Sequence, residues 1–260
     1  MQWLATGEAS IPDGTDWMSD RELSRLARLR FTKPRTEYLL RRWSAKRAVA
    51  AALGRSLERE TAARIELLNH PSGAPYVLVD AAPAGIDVSL TDRAGWAVVL
   101  VGEPGSFRSG TIGVDLELVE PRSAGFVADF LTPVEQSYVA SRGACGEPGW
   151  DVAANLLWSA KEAVLKVQRV GLRADTRTVE VWVDHRAGPD GWAALTATGA
   201  DGTAYPGWWR RDGRFLLTIA HREPQQPPWP LPGSEDLATA VPIHSWVANP
   251  LVQGASGDSH

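Results

Sequence analysis

Two stretches of helical periodicity, each followed by a group of short β-rich segments, most constrain what this chain can fold into. From Asp20 to Leu53 the residues Leu23, Leu26, Leu29, then Leu39, Leu40, Trp43, Ala48 and Leu53 recur at helical spacing. Thr32, Lys33 and Pro34 mark a break, so the pattern predicts two helices, the second ended by Gly54. Thr61 to Leu68 reads as a short element before the turn-like HPSGAP. YVLVD, VSLTD, GWAVVLVG and TIGVDLELV, rich in β-branched and aromatic residues, then read as antiparallel strands. The order returns downstream. Helices are expected over Ala124 to Leu131 and Pro133 to Ala140, with Thr132 as N-cap and Pro133 in the first turn. A loop spans Gly143 to Gly149, and a long helix runs from Val152 to Val170, stopped by Gly171. TVEVWVD, WAALTAT and FLLTIAH complete a second set of strands. Helices then strands, twice over, predict an α+β fold of two similar halves. No residue-level repeat accompanies the coarse one. The halves are expected at 1–118 and 119–222, followed by a proline-rich extension over 223–260.

The 260 residues suffice to bury a sizeable core. Lys and Arg number 27 against 31 Asp and Glu, a formal charge of -4, which argues against a general nucleic-acid binder. The average conceals an asymmetry. Thirteen of the cations lie between Arg21 and Arg64, whereas everything after Glu223 lacks Lys and Arg and reads as an irregular, partly ordered tail. That tail either packs across the halves through Trp229 and Trp246 or stays mobile. The single cysteine, Cys145, cannot form an intramolecular disulfide. Neither an export signal at MQWLATGEAS nor a membrane-length apolar run is visible, so a cytoplasmic, membrane-independent protein is expected.

Asp115 and Glu117 occupy alternate positions in GTIGVDLELVE, so both carboxylates project from one face of a strand. Side by side they repel unless a cation or hydrogen-bond donors compensate them. Mg²⁺ suits such a pair because it takes few carboxylates, keeps waters and accepts phosphate oxygens. Alternating acids on a solvated strand face are commoner than metal sites, so this signal alone is weak. In WSAKEAVLK, Glu162 and Lys166 are four apart on the long helix. They form either an exposed ion pair, or a third metal carboxylate beside a lysine that reaches phosphate. Spacing alone leaves both readings open.

Together, GVDLE and WSAKEAVLK resemble the paired signatures of the 4'-phosphopantetheinyl transferase superfamily, (I/V)G(I/V)D(I/V)E and (W/F)(S/C/T)xKE(A/S)xxK. KPRTEYLLRRWSAKRAVAAALG resembles the family's arginine-bearing helix and SGAPYV its G(K/R)P segment. The likeness spans about Arg30 to His221, and the length suits the monomeric, pseudo-dimeric Sfp-type branch. It implies two halves related by a pseudo-twofold, each with a small antiparallel sheet packed on a long helix. It also implies transfer of the phosphopantetheine arm of coenzyme A to a carrier-protein serine, releasing adenosine 3',5'-bisphosphate. Asp115, Glu117 and Glu162 would hold Mg²⁺; Lys166 would offset charge on the leaving phosphate, and Glu162 would take the serine proton. Arg35, Arg42, Lys46, Gly73, Pro75, Ser89, Asp92, Arg93, Lys161 and Lys166 would line the coenzyme A site. Glu135 matches an acidic family position, and the remaining N-terminal arginines would attract an acidic carrier protein.

Two departures from the family pattern fall on the coenzyme side. Asp92 stands where a phosphate-contacting histidine is usual, which removes a donor and adds repulsion, with Arg93 as a candidate replacement. Ala74 takes the place of the basic residue in G(K/R)P. A divergent relative that binds coenzyme A or carriers without transfer is the competing reading, and a metal-dependent nuclease a remote one.

Overall fold

The computed structural model describes residues 1–105, 111–169 and 174–243. Val170 and Gly171, the expected end of the long helix, and Trp246 of the tail lie outside the described residues. The first strand, β1 (Gln2–Gly7), is followed by helix α1 (Asp20–Leu26), the long α2 (Thr32–Ala52) and the single turn α3 (Arg59–Ala62). Six strands follow: β2 (Ile65–Asn69), β3 (Pro75–Val79), β4 (Ala82–Pro83), β5 (Val88–Arg93), β6 (Trp96–Val101) and β7 (Ile112–Leu118). Helices α4 (Ala124–Phe130), α5 (Pro133–Ser141) and α6 (Pro148–Gln168) precede β8 (Val179–Val183), β9 (Ala193–Gly199), β10 (Ala204–Asp212) and β11 (Phe215–His221). The short β12 (Trp229–Pro230) closes the order. The α+β class expected from the sequence is the one observed.

Strand alternation sorts the apolar residues into layers. One sheet has the order β12-β1-β6-β5, another β7-β11-β10-β9-β8, and β2-β3-β4 form a third. Trp3, Ala5, Val98 and Leu100 of the first sheet meet Val114, Leu116, Leu217 and Ile219 of the second in one buried cluster. On the outer faces, Leu4, Val99 and Val101 pack on Ala45, Ala48 and Val49 of α2, while Ala220 and Leu195 pack with Ala160 and Val164 of α6. Two sheets thus lie back to back between two 21-residue helices. Each fully buried leucine or valine here contributes about 1.5–3 kcal/mol of transfer free energy.

The strand that the sequence puts at the end of the first half, β7, is hydrogen-bonded along its whole length to β11. Towards β5 no backbone ladder forms; side chains on one face of β5 reach across instead. Asp87 accepts from Thr111 N at 2.8 Å, Ser89 Oγ from Val114 N at 3.0 Å, and Thr91 Oγ1 from Leu116 N at 3.3 Å.

The coarse duplication has a residue-level counterpart after all. Trp43-Ser44-Ala45-Lys46-Arg47-Ala48-Val49 on α2 and Trp158-Ser159-Ala160-Lys161-Glu162-Ala163-Val164 on α6 agree at six of seven positions. Both lysines are fully buried, Lys46 bonding Glu22 (2.8 Å) and the Ala62 and Ile65 carbonyls, and Lys161 bonding Glu135 (2.7 Å) and the Thr176 and Val179 carbonyls. Each glutamate is the N3 member of a capping box, with Ser19 and Thr132 as the N-caps. Each also accepts a strand N–H, from Leu67 and from Val181.

The described part of the extension, to residue 243, packs against the first sheet. β12 runs parallel to β1, Glu235 N donates to Ala5 O, and Leu231 and Leu237 are buried. Trp229 stays about half exposed, so backbone pairing rather than that indole holds the segment down. Among the described residues, no helix is long and apolar enough to cross a membrane.

Candidate active site

On β7, Val114 and Leu116 turn into the core between the sheets, so Gly113, Asp115 and Glu117 face α6. Gly113 lets the helix approach closely: a Cβ there would run into the Ala163 carbonyl oxygen. The register along α6 then sets Trp158, Ser159, Glu162 and Lys166 over the strand.

Asp115 is buried and fully engaged. Its Oδ2 accepts from Ser159 Oγ at 2.8 Å, and its Oδ1 from Lys166 Nζ at 2.8 Å and Thr91 Oγ1 at 3.2 Å. Lys166 also donates to Val114 O at 2.7 Å. Glu117 Oε1 accepts from Trp158 Nε1 at 3.1 Å, while its Oε2 has Arg93 Nε at 3.2 Å and Arg122 Nη2 at 3.6 Å without an aligned hydrogen bond. Phe126 and Phe130 pack edge-on against Trp158, which fixes the indole. Burial, then the Asp115 charge, pushes the Glu117 carboxyl above the usual range, against Arg93, Arg122 and Trp158. Glu162 goes further. Burial, then Asp115, with Glu117 adding and Lys166 opposing, raises it to about 7. Its Oε1 is buried without a hydrogen-bond partner.

Among the described residues, no three His, Cys, Asp or Glu side chains are gathered closely enough to hold a metal ion. The expected set of Asp115, Glu117 and Glu162 is therefore not closed into a cage. The donor chemistry nevertheless fits a hard cation. Glu117 Oε2 and Glu162 Oε1 are buried oxygens with no aligned donor, and the carboxylates disfavour one another's charge. Mg²⁺ commonly takes only one or two carboxylates and leaves its remaining positions to water and phosphate.

Beside this cluster opens a cavity of about 300 Å³. Gly73, Ala74 and Pro75 form one wall, Val88, Ser89, Leu90, Ile112 and Leu165 another, and Arg41, Lys166 and Arg169 supply cations. Lys166 belongs to both the cavity and the carboxylate cluster. The expected residues Gly73, Pro75, Ser89 and Lys166 thus line one cavity.

Other expected ligands lie elsewhere. Lys46 and Lys161 are corrected outright: both are fully buried in the duplicated Lys–Glu clusters, where burial lowers their pKa against the pull of the paired glutamates. Glu135, buried with Lys161, is likewise no site carboxylate. Arg42 is buried over the Tyr38 ring and donates to Asn69, and Arg35 reaches towards Leu26 O; neither lines the cavity. Asp92 and Arg93 line a separate space of about 60 Å³, and Arg93 pairs with Glu117 and Glu120 rather than replacing a phosphate contact. Arg41 and Arg169 escaped the sequence reading. Arg41 lies next to the expected Arg42, one residue round the helix. Arg169 ends α6 in the left-handed region, at φ 60°, a place where glycine or asparagine is the usual signal.

Residues 111–201, about a third of the chain, match the family model of the 4'-phosphopantetheinyl transferase superfamily. That segment carries Asp115, Glu117, Glu162 and Lys166, and the match supports phosphopantetheine transfer in general, with coenzyme A and carrier proteins as the family's substrates. No curated protein matches the chain.

Proposed function

We propose that this protein is an Sfp-type, Mg²⁺-dependent phosphopantetheinyl transferase, acting as a cytoplasmic monomer on an acyl, peptidyl or polyketide carrier protein. The observation that carries the reading is Lys166, which joins the Asp115–Glu117–Glu162 cluster to a cavity with two further cations. Such a cavity suits a ligand with an apolar body and several phosphates.

In the reaction, a serine Oγ–P bond forms and the P–O bond to adenosine 3',5'-bisphosphate breaks. Asp115, Glu117 and Glu162 would hold Mg²⁺, which when bound neutralises pyrophosphate charge. Arg41 and Arg169 hold the nucleotide phosphates, and Gly73 to Pro75 and Leu90 bury the apolar part. Lys166, oriented by Asp115 and Val114 O, meets the charge that develops on the leaving phosphate. Glu162 Oε1, raised to about 7 and lacking a donor, accepts the serine proton. Trp158 holds Glu117 and does no chemistry of its own.

The test is to incubate the protein with Mg²⁺, coenzyme A and an apo carrier domain, and to weigh the carrier. A phosphopantetheine-sized gain, lost when Mg²⁺ is chelated, is expected. No gain across a panel of fatty-acid, polyketide and peptide carriers, with coenzyme A still bound, would leave a non-catalytic binder instead.

A further inference from the structure

Asp92 looks misplaced beside a site for phosphates, because a carboxylate there repels an anion. Its surroundings assign it a different task. Strand alternation on β5 sends Ser89, Thr91 and Arg93 towards β7 and its carboxylates, and leaves Asp92 on the face turned to α2. There Asp92 Oδ1 accepts from Arg41 Nη1 at 2.6 Å, a charge-assisted bond. The carboxylate is 12% exposed and the guanidinium 32%. Arg41 lines the 300 Å³ cavity and Asp92 does not. One turn earlier on α2, Glu37 is half-buried, and burial together with Asp92 raises its pKa. Asp92 therefore sits with its charge compensated and screened from the cavity by the very cation it holds. Arg41 has five donor hydrogens, and among the described residues only Nη1 is hydrogen-bonded, so the fork keeps donors for a ligand.

We propose that Asp92 is a positioning residue: it clamps the Arg41 guanidinium at the rim of the cavity, where Arg41 takes a phosphate of the coenzyme. This rests on the coenzyme reading above and deepens it. Two opposite effects are thereby separated. If Asp92 acted through its charge alone, removing it would tighten the binding of an anion. If it acts through Arg41, removing it loosens binding, although the site becomes more positive.

The test measures dissociation constants of coenzyme A and adenosine 3',5'-bisphosphate by calorimetry for the full chain, Asp92→Ala, Asp92→Glu, Arg41→Ala and the double variant. Asp92→Ala should weaken both ligands about tenfold and Arg41→Ala at least as much. The double variant should be no weaker than Arg41→Ala, since Asp92 has no other route to the ligand. Asp92→Glu should recover part of the loss. In turnover, KM for coenzyme A should rise while kcat and KM for the carrier stay within about twofold of the parent. Tighter or unchanged binding by Asp92→Ala, or a full Asp92 effect in the Arg41→Ala background, overturns the proposal and leaves the coenzyme reading standing. Failure of the unaltered protein to bind either ligand overturns both.

Discussion

The seven-residue repeat on α2 and α6 invites a comparison of the two places it builds. Around the lysines, the halves are nearly interchangeable: a Ser or Thr N-cap, a buried Glu, a buried Lys, two carbonyls and a strand N–H recur in each. One residue further on they diverge completely. The second half has Glu162, whereas the first has Arg47, and Ala51 stands where the second half has Lys166. The strand beneath differs in the same way, with Leu4 and Thr6 on the α2 side of β1 and Asp115 and Glu117 on the α6 side of β7. Arg47 bonds Thr6 (3.0 Å), Glu235 (2.8 Å) and Gly233 O (2.6 Å), so it fastens the C-terminal segment. The buried Lys–Glu pair thus anchors a long helix to its sheet, and the next position on that helix is free to take up either chemistry or closure.

The sharpest way to break this division is at the divergent position. Glu162→Gln and Asp115→Asn should each lower carrier modification by at least about a hundredfold in a mass assay, because they remove the base or the Lys166 anchor. Arg47→Gln should leave turnover within about twofold. Equal losses in both halves would mean that Arg47 belongs to the site. Next come the anchors. Lys46→Ala and Lys161→Ala each strand a buried glutamate and should cost about 3–5 kcal/mol by urea unfolding. If Lys161→Ala instead folded normally and lost only coenzyme binding, Lys161 would be a ligand of the coenzyme rather than an anchor of the helix. A smaller effect is expected at the clasp. Arg47→Ala should cost about 1–2 kcal/mol and speed proteolysis after Leu231, with the rest of the chain protected. Smallest is a gain: in metal-free protein Glu162→Gln should raise the thermal midpoint by a few degrees, since it removes a buried charge that Asp115 and Glu117 oppose.

Much of this arrangement was legible beforehand. The helical periods of α1, α2, α4, α5 and α6 stand in the sequence, as do the alternating acids of β7 and the Glu162/Lys166 spacing. β1 and β10 were missed. QWLATG is short and lacks β-branched alternation, and AYPGWWRRD contains Pro206 and Gly207, which read as breakers. In the fold Gly207 is needed because the backbone of Ile219 passes against it. The ligand roles expected of Lys46 and Lys161 come from the resemblance, and a lysine taken by itself gives no sign that it is buried. The available signal was the combination of the WSAK repeat with two upstream S/T-x-x-E capping boxes, Ser19/Glu22 and Thr132/Glu135. Arg42 is expected from the family pattern alone; Arg41, about 100° away around the helix, lines the cavity, and only the sheet defines that side.

The pairing of β12 with β1 has a bearing on how the molecule is made. β1 is made before the other described elements, yet its place in the sheet is between β6 and the residues around Trp229, nearly the whole described chain later. Until those residues are translated, one edge of β1 carries unpaired backbone groups and Arg47 lacks its carboxylate. Closure of the first sheet thus waits until the residues from Trp229 to Glu235 have been made, and a message cut short before Glu235 would yield an open edge prone to pairing with a neighbour.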